Sequence, residues 1–152
     1  MKRKSIQERG PIRYICKDDV KQSFDNRLKS LNHLELSDFY SHNNGDRHVF
    51  VYDFGGSIIC VLIFDDMDNH FYLNLIENNE IYGKECDEIN PAPKLIRFTE
   101  NVAKSLGHTE IKLDALEQLV SYYTELGYFS TGRIKNDNAY GLLVEMRKSL
   151  GS

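Results

Sequence analysis

Three cysteines, Cys16, Cys60 and Cys86, stand far apart in this chain of 152 residues, with no C-x-x-C pair among them. An odd, scattered set fits a reducing compartment and argues against a disulfide framework or a zinc ribbon. Each thiol reads first as a small apolar filler and only second as a nucleophile. Of five histidines, only His42 and His48 lie close in sequence. They lack the helical i, i+4 spacing and the neighbouring cysteine that zinc would use, so no metal is expected. Carboxylates gather at Asp65, Asp66, Asp68, Glu77 and Glu80. These would suit a cationic amine, and would equally serve as a solvated rim.

Net charge is −4, which offers nothing to neutralise phosphates, so no nucleic-acid partner is expected. The longest apolar stretch, Ile58 to Phe64, is far short of the ~18 residues a membrane span needs. Lys2, Arg3 and Lys4 are followed by no apolar core or cleavage site, and residues 1–10 read as a flexible basic tail. The expectation is a cytoplasmic protein, with no membrane partner and one domain over residues 1–152.

Such side chains need elements to position them. A short strand over 12–16 is followed by Asp18 and Asp19, which look like helix-starting residues. Val20, Phe24, Leu28 and Leu31 then fall on one face of an amphipathic helix. The polar stretch Ser41 to Asp46 predicts a loop. Strands over 48–54 and 57–64 join across Gly55 and Gly56, a pair suited to the positive φ angles of a tight hairpin. A third strand over 70–77 completes an antiparallel meander. Residues 78–90 read as polar and irregular.

Pro91 and Pro93 introduce a helix whose buried stripe is Leu95, Phe98, Val102 and Leu106, with Gly107 as its stop. A short strand over 110–113 follows. Asp114 and Glu117 resemble a capping pair opening a helix that ends at Gly127. Strands over 132–136 and 140–147 close the chain. The strands near 70–77 and 110–114, linked through the Pro91 helix, should be parallel neighbours that diverge at their C-terminal ends.

Ile111-Lys112-Leu113-Asp114-Ala115, then Tyr123-Thr124-Glu125-Leu126-Gly127-Tyr128, then Met146-Arg147-Lys148 together resemble a known pattern. It is that of the GNAT superfamily, the acetyl-CoA-dependent N-acetyltransferases. Their strand reads I/V-x-L-x-A, their helix ends Y-x-x-L-G-F and their last strand closes on M-x-K. Tyr128 takes the place of the usual Phe. The resemblance implies an α/β (α+β) fold, with a mixed, mainly antiparallel twisted sheet flanked by helices and one parallel crossover.

It also implies transfer of an acetyl group from acetyl-CoA to a primary amine held between the diverging strands. Tyr123 matches the general-acid position that protonates the departing thiolate, with Tyr122 as second choice; its helical stripe also allows a plain core role. Glu77 is the implied base, with Glu80 in reserve, or else a solvated strand end. The backbone of Leu75 and Ile76 would meet the pantetheine arm and thioester. The family's pyrophosphate loop, Q/R-x-x-G-x-G/A, falls on Asp87 to Ala92. There Asp87 replaces the cation, Asn90 replaces the first glycine, and only Ala92 keeps the pattern. Lys94, with Lys84, is the nearby cation available to phosphates. The family's frequent Asn after the second diverging strand is Leu116 or Glu117 here. The alternative expectation is a non-catalytic module of this fold that binds a ligand or protein partner. Exposed strand edges could also pair two copies into a homodimer.

Overall fold

The computed structural model describes residues 10–26 and 34–151. Seven strands form one sheet: β1 (Ile12–Tyr14), β2 (Arg47–Phe54), β3 (Ser57–Asp66), β4 (Phe71–Asn78), β5 (Glu110–Leu116), β6 (Phe129–Asp137) and β7 (Gly141–Ser149). Their spatial order is β1-β2-β3-β4-β5-β7-β6, and β4–β5 is the parallel pair. The β2–β3 turn uses Gly55 and Gly56 at φ 59° and 96°, angles that L side chains resist. The meander therefore stands as expected.

Helix α3 (Pro91–Ser105) crosses one face of the sheet and buries Leu95, Ile96, Val102 and Ala103 against β2 to β5. Helix α4 (Val120–Glu125) joins the same side beside β5. On the other face, α1 (Leu36–His42) sets Leu36 and Phe39 against Val49, Val51, Val61 and Ile63. That second cluster reaches no further across the sheet than Leu75 on β4.

Several local expectations change. Val20 belongs to a 3-10 turn, Lys17–Lys21, and Phe24 follows it in irregular chain, while Leu28 and Leu31 lie outside the described residues. The turn stops because the chain is strapped to the hairpin: Gln22 donates to the Gly56 carbonyl and accepts from the Ile58 amide. Helix α1 takes Ser41 and His42 from the expected loop, a single short helix with too few apolar residues to show a period. Residues 78–90 are largely helical: a 3-10 turn, Glu80–Tyr82, runs into α2 (Gly83–Ile89). Asp114 caps nothing. It lies within β5, where the Tyr72 hydroxyl donates to it and Lys135 pairs with it.

The motif residues of the C-terminal third prove to be joints. Lys148 Nζ donates to Glu100 Oε1 at 3.0 Å and to the Leu126 carbonyl at 2.9 Å, tying β7 to α3 and to the end of α4. Gly127, at φ 100°, passes so close to Lys148 that an added Cβ would meet its Cε at 3.1 Å. Among the described residues no helix is long and apolar enough to cross a membrane.

Candidate active site

Parallel pairing of β4 with β5 lasts three rungs, Phe71–Ile111, Tyr72–Lys112 and Leu73–Leu113, and then ends. A register shift at the same point makes Asn74 the extra residue of β4, since Leu73 pairs with Phe64 and Leu75 with Ile63. Such a bulge bends its strand and increases the local twist. Beyond it β4 stays paired with β3 as far as Asn78, and β5 stays paired with β7 as far as Leu116. The β5-facing edge of β4 is thus without a strand partner from Asn74 onward. The expected wedge is there, and the bulge is what opens it.

The wedge runs through the sheet and has two lobes. An inner lobe of about 240 Å³, on the α3 side, is lined by Asn78, Glu80, Asn90, Ala92 and Tyr122. An outer lobe of about 260 Å³ is lined by Tyr72, Leu75, Asp114, Lys135, Asp137 and Tyr140, among others. Ile76, Glu77, Leu119 and Tyr123 line both. Strand register places Asn78 and Leu75: Asn78 pairs with Cys60, a residue of the core beneath α3, whereas Leu75 pairs with Ile63 on the opposite face, and Ile76 and Glu77 between them reach both lobes.

Six of the seven residues expected from sequence therefore meet at this wedge: Leu75, Ile76, Glu77, Asn90, Ala92 and Tyr123. Lys94 does not. It is exposed and lines a separate groove with Ile12, Pro93, Arg97, Phe98 and Asn101. One turn into α3, it points along the helix flank rather than back to the wedge.

Tyr123 is 8% exposed, and its hydroxyl has no hydrogen-bond partner among the described residues. Burial first, then the neighbouring Tyr122, Glu77 and Cys60, push this phenol well above its ordinary value near ~10. It stays protonated at neutral pH, and the same shift makes it a weaker acid than an ordinary phenol. It also packs its ring against Tyr122 and Tyr128 at centroid distances of 5.2 and 5.9 Å. Tyr123 thus packs in the core and lines both lobes of the wedge.

The start of α3 differs from an ordinary anion seat. Four amides are normally open at a helix N-terminus. Here the Asn90 amide is taken by the Cys86 carbonyl at 2.8 Å, and Pro91 and Pro93 have none, which leaves Ala92 alone. Asn90 holds a left-handed backbone, φ 54°, as the sole residue between α2 and α3. Asn tolerates that conformation better than most side chains, which is why it can stand where a glycine is usual. Asp87 and Glu88 are exposed within α2.

Asn78 was not foreseen. Its Oδ1 is buried without a hydrogen-bond partner among the described residues, at the end of β4 and on the lining of the inner lobe. A buried carbonyl oxygen left unpaired costs free energy and marks a place where a donor fits. The strand pattern alone could not find it, because an Asn at a strand end also reads as turn chemistry.

Other candidate groups fall away. Cys60 and Cys86 are buried core residues; burial drives the Cys60 thiol far up and Cys86 up to about 11, so neither supplies a thiolate. His48 is buried beside Tyr14 while His42 is exposed on α1, and no metal-holding group of three ligands occurs among the described residues. Asp65 pairs with Arg47 and Asp66 with His108, so these two carboxylates of the acidic rim already have partners within the protein.

No family model matches the chain, and no curated protein is similar to it in sequence. Solved structures are similar in fold. The ribosomal-protein-S18-alanine N-acetyltransferase of Escherichia coli superposes at a TM-score of 0.71 with 12% identity, over 93% of this chain and 94% of its own. An aminoglycoside 6'-N-acetyltransferase complexed with coenzyme A gives 0.69 and 14%, over 93% and 97%. Nourseothricin acetyltransferase gives 0.58 and 14%, over 70% of this chain and 66% of that one. At identities this low the likeness is one of fold, and that fold is the fold of the GNAT N-acetyltransferases.

Proposed function

We propose that this chain is an N-acetyltransferase that moves an acetyl group from acetyl-CoA to a primary amine. The observation that carries the reading is the pair of lobes joined across the split sheet by Ile76, Glu77, Leu119 and Tyr123. Two substrates can approach from opposite faces and meet only there. The pantetheine arm would lie in the inner lobe, along the unpartnered edge of β4 at Leu75 and Ile76, with the Asn78 side-chain oxygen accepting from one of its amides. The acceptor would come through the outer lobe.

The chemistry follows from the groups at the junction. An ammonium must lose a proton before its nitrogen can attack, and Glu77, directly or through water, is the base on the outer face. The nitrogen then bonds to the thioester carbon, and the oxygen takes up the charge against the β4 edge. Collapse breaks the C–S bond, and the thiolate takes the proton of Tyr123. The second proton of the new amide nitrogen passes to the Tyr123 phenolate, directly or through water, which leaves a neutral amide, a CoA thiol and a protonated Tyr123.

The test is direct. The protein is incubated with acetyl-CoA and a panel of primary amines, and free CoA thiol is measured beside the mass of each amine. A gain of one acetyl on an amine, matched by thiol release, is expected. Binding of acetyl-CoA without transfer to any amine, or no binding at all, would instead make this a non-catalytic module of the same fold.

A further inference from the structure

Lys135 on β6 already places an alkylammonium in the outer lobe: its Nζ lies 2.8 Å from Asp114 Oδ2. Asp114 is 12% exposed and Lys135 61%, so the carboxylate belongs to the protein wall and the ammonium sits at the solvent side. The Tyr72 hydroxyl donates to the same Oδ2, and Oδ1 has no partner among the described residues. Among the charged residues described on this lobe, Glu77, Asp114 and Asp137 face one cation, Lys135. Asp114 and Lys135 also border an adjoining groove on the β6 side, together with Arg133 and Glu145.

Position decides which group of an acceptor this carboxylate could hold. The reacting atoms must lie where both lobes meet. Glu77 and Tyr123 line both lobes, while Asp114 lines only the outer one. A cation bound to Asp114 is therefore a different group from the amine that reacts.

We propose that Asp114 binds a second ammonium group of a di- or polyamine acceptor, and that Lys135 is an internal competitor which this acceptor displaces. The proposal rests on the acetyltransferase reading for the word acceptor, but the binding it describes needs no acetyl-CoA. An exposed ion pair is worth little, so Lys135 is easily exchanged. The burial and the fixed Tyr72 contact keep Asp114 in place to receive the incoming charge.

The experiment titrates 1,5-diaminopentane and pentylamine into the whole protein, followed by NMR or calorimetry at low salt. The diamine should bind more tightly than the monoamine, and added salt should shrink the difference. Lys135→Ala, at an exposed position, should raise diamine affinity roughly twofold to fivefold, the strength of an exposed ion pair. Asp114→Asn should erase the preference for the diamine. Equal binding of both amines by the native protein, or a Lys135→Ala variant that binds the diamine no better, would overturn the proposal. Diamine preference without acetyl transfer would sink the proposed reaction and leave this site standing; transfer to monoamines and diamines alike would do the reverse.

Discussion

The Tyr128 hydroxyl donates to Glu100 Oε2 at 2.8 Å inside the core, with both residues nearly sealed from solvent. The family pattern has Phe at this position, which needs no partner. Here the extra hydroxyl is answered by a carboxylate from α3, and that carboxylate by Lys148 from β7. Restoring the family residue should therefore destabilise the protein. Tyr128→Phe leaves a buried carboxylate oxygen unpaired, at about 1–3 kcal/mol, or roughly 2–12 °C in Tm for a chain this size. Combining it with Glu100→Gln should cost less than the sum of the two single changes, because the residues share one network. A thermal melt of the three variants decides, and an unchanged Tm for Tyr128→Phe would show the hydrogen bond to be worth nothing.

Tyr123→Phe keeps the ring that packs on Tyr122 and Tyr128 and removes only the hydroxyl. Since that hydroxyl has no protein partner among the described residues, stability should hold while turnover falls by ~10²–10⁴-fold. The pH profile adds a sign. Burial raises the Tyr123 phenol, so the proton to be donated is present throughout the neutral and mildly alkaline range. Its contribution to folding is likewise whole below the unfolded value near ~10, and is lost only as pH rises through the raised folded value. If the protein catalyses the proposed transfer, its kcat/KM should show no alkaline fall from this group below about pH 10. A fall centred near pH 8 that vanishes in Tyr123→Phe would contradict that.

Long-period features were legible in the sequence, and local exceptions were not. The Gly55–Gly56 hairpin, the Pro91 helix and the parallel strands at 71–73 and 111–113 follow from turn chemistry and periodicity. The wedge was expected, yet its cause, one extra residue at Asn74, leaves no mark on a strand whose apolar pattern reads through it. Helices α1 and α2 are seven residues each, too short for periodicity to separate them from loops. Asp114 looked like a cap because Glu117 follows at the right spacing; tertiary partners, Tyr72 and Lys135, kept it in a strand. Lys94 has the charge and the distance along the chain that a phosphate partner would need, but helical geometry carries it round to another groove.

Asn78 gives a prediction in which stability and binding move apart. Its buried Oδ1 has no partner among the described residues, so Asn78→Leu removes a desolvation cost and should leave Tm unchanged or higher. If that oxygen accepts from the pantetheine arm, the same change should weaken acetyl-CoA by about twofold to tenfold, the worth of one hydrogen bond. Amine KM should stay where it was. Parallel melts and acetyl-CoA titrations check both halves, and a variant that loses stability but binds as before would place Asn78 in the fold alone.

Acetyl-CoA should bind through its pantetheine arm more than through its pyrophosphate. A helix start attracts phosphate with open amides and the positive end of its dipole. At α3 two prolines and the Asn90–Cys86 hydrogen bond leave Ala92 as the open amide, and Lys94 stands in another groove. Glu80 also lines the inner lobe, and its charge opposes a phosphate there. Titrations of CoA, dephospho-CoA and a pantetheine thioester should give affinities within about tenfold of one another. Pro93→Ala then supplies the opposite test, because alanine suits a first helical turn and brings back one N–H. That amide should strengthen CoA by roughly tenfold, the scale of a hydrogen bond to a charged group, and should leave the pantetheine thioester unchanged. If native CoA binding is tight and collapses without the pyrophosphate, another set of donors holds the phosphates. If Pro93→Ala strengthens both ligands equally, the change acts on the helix rather than on phosphate.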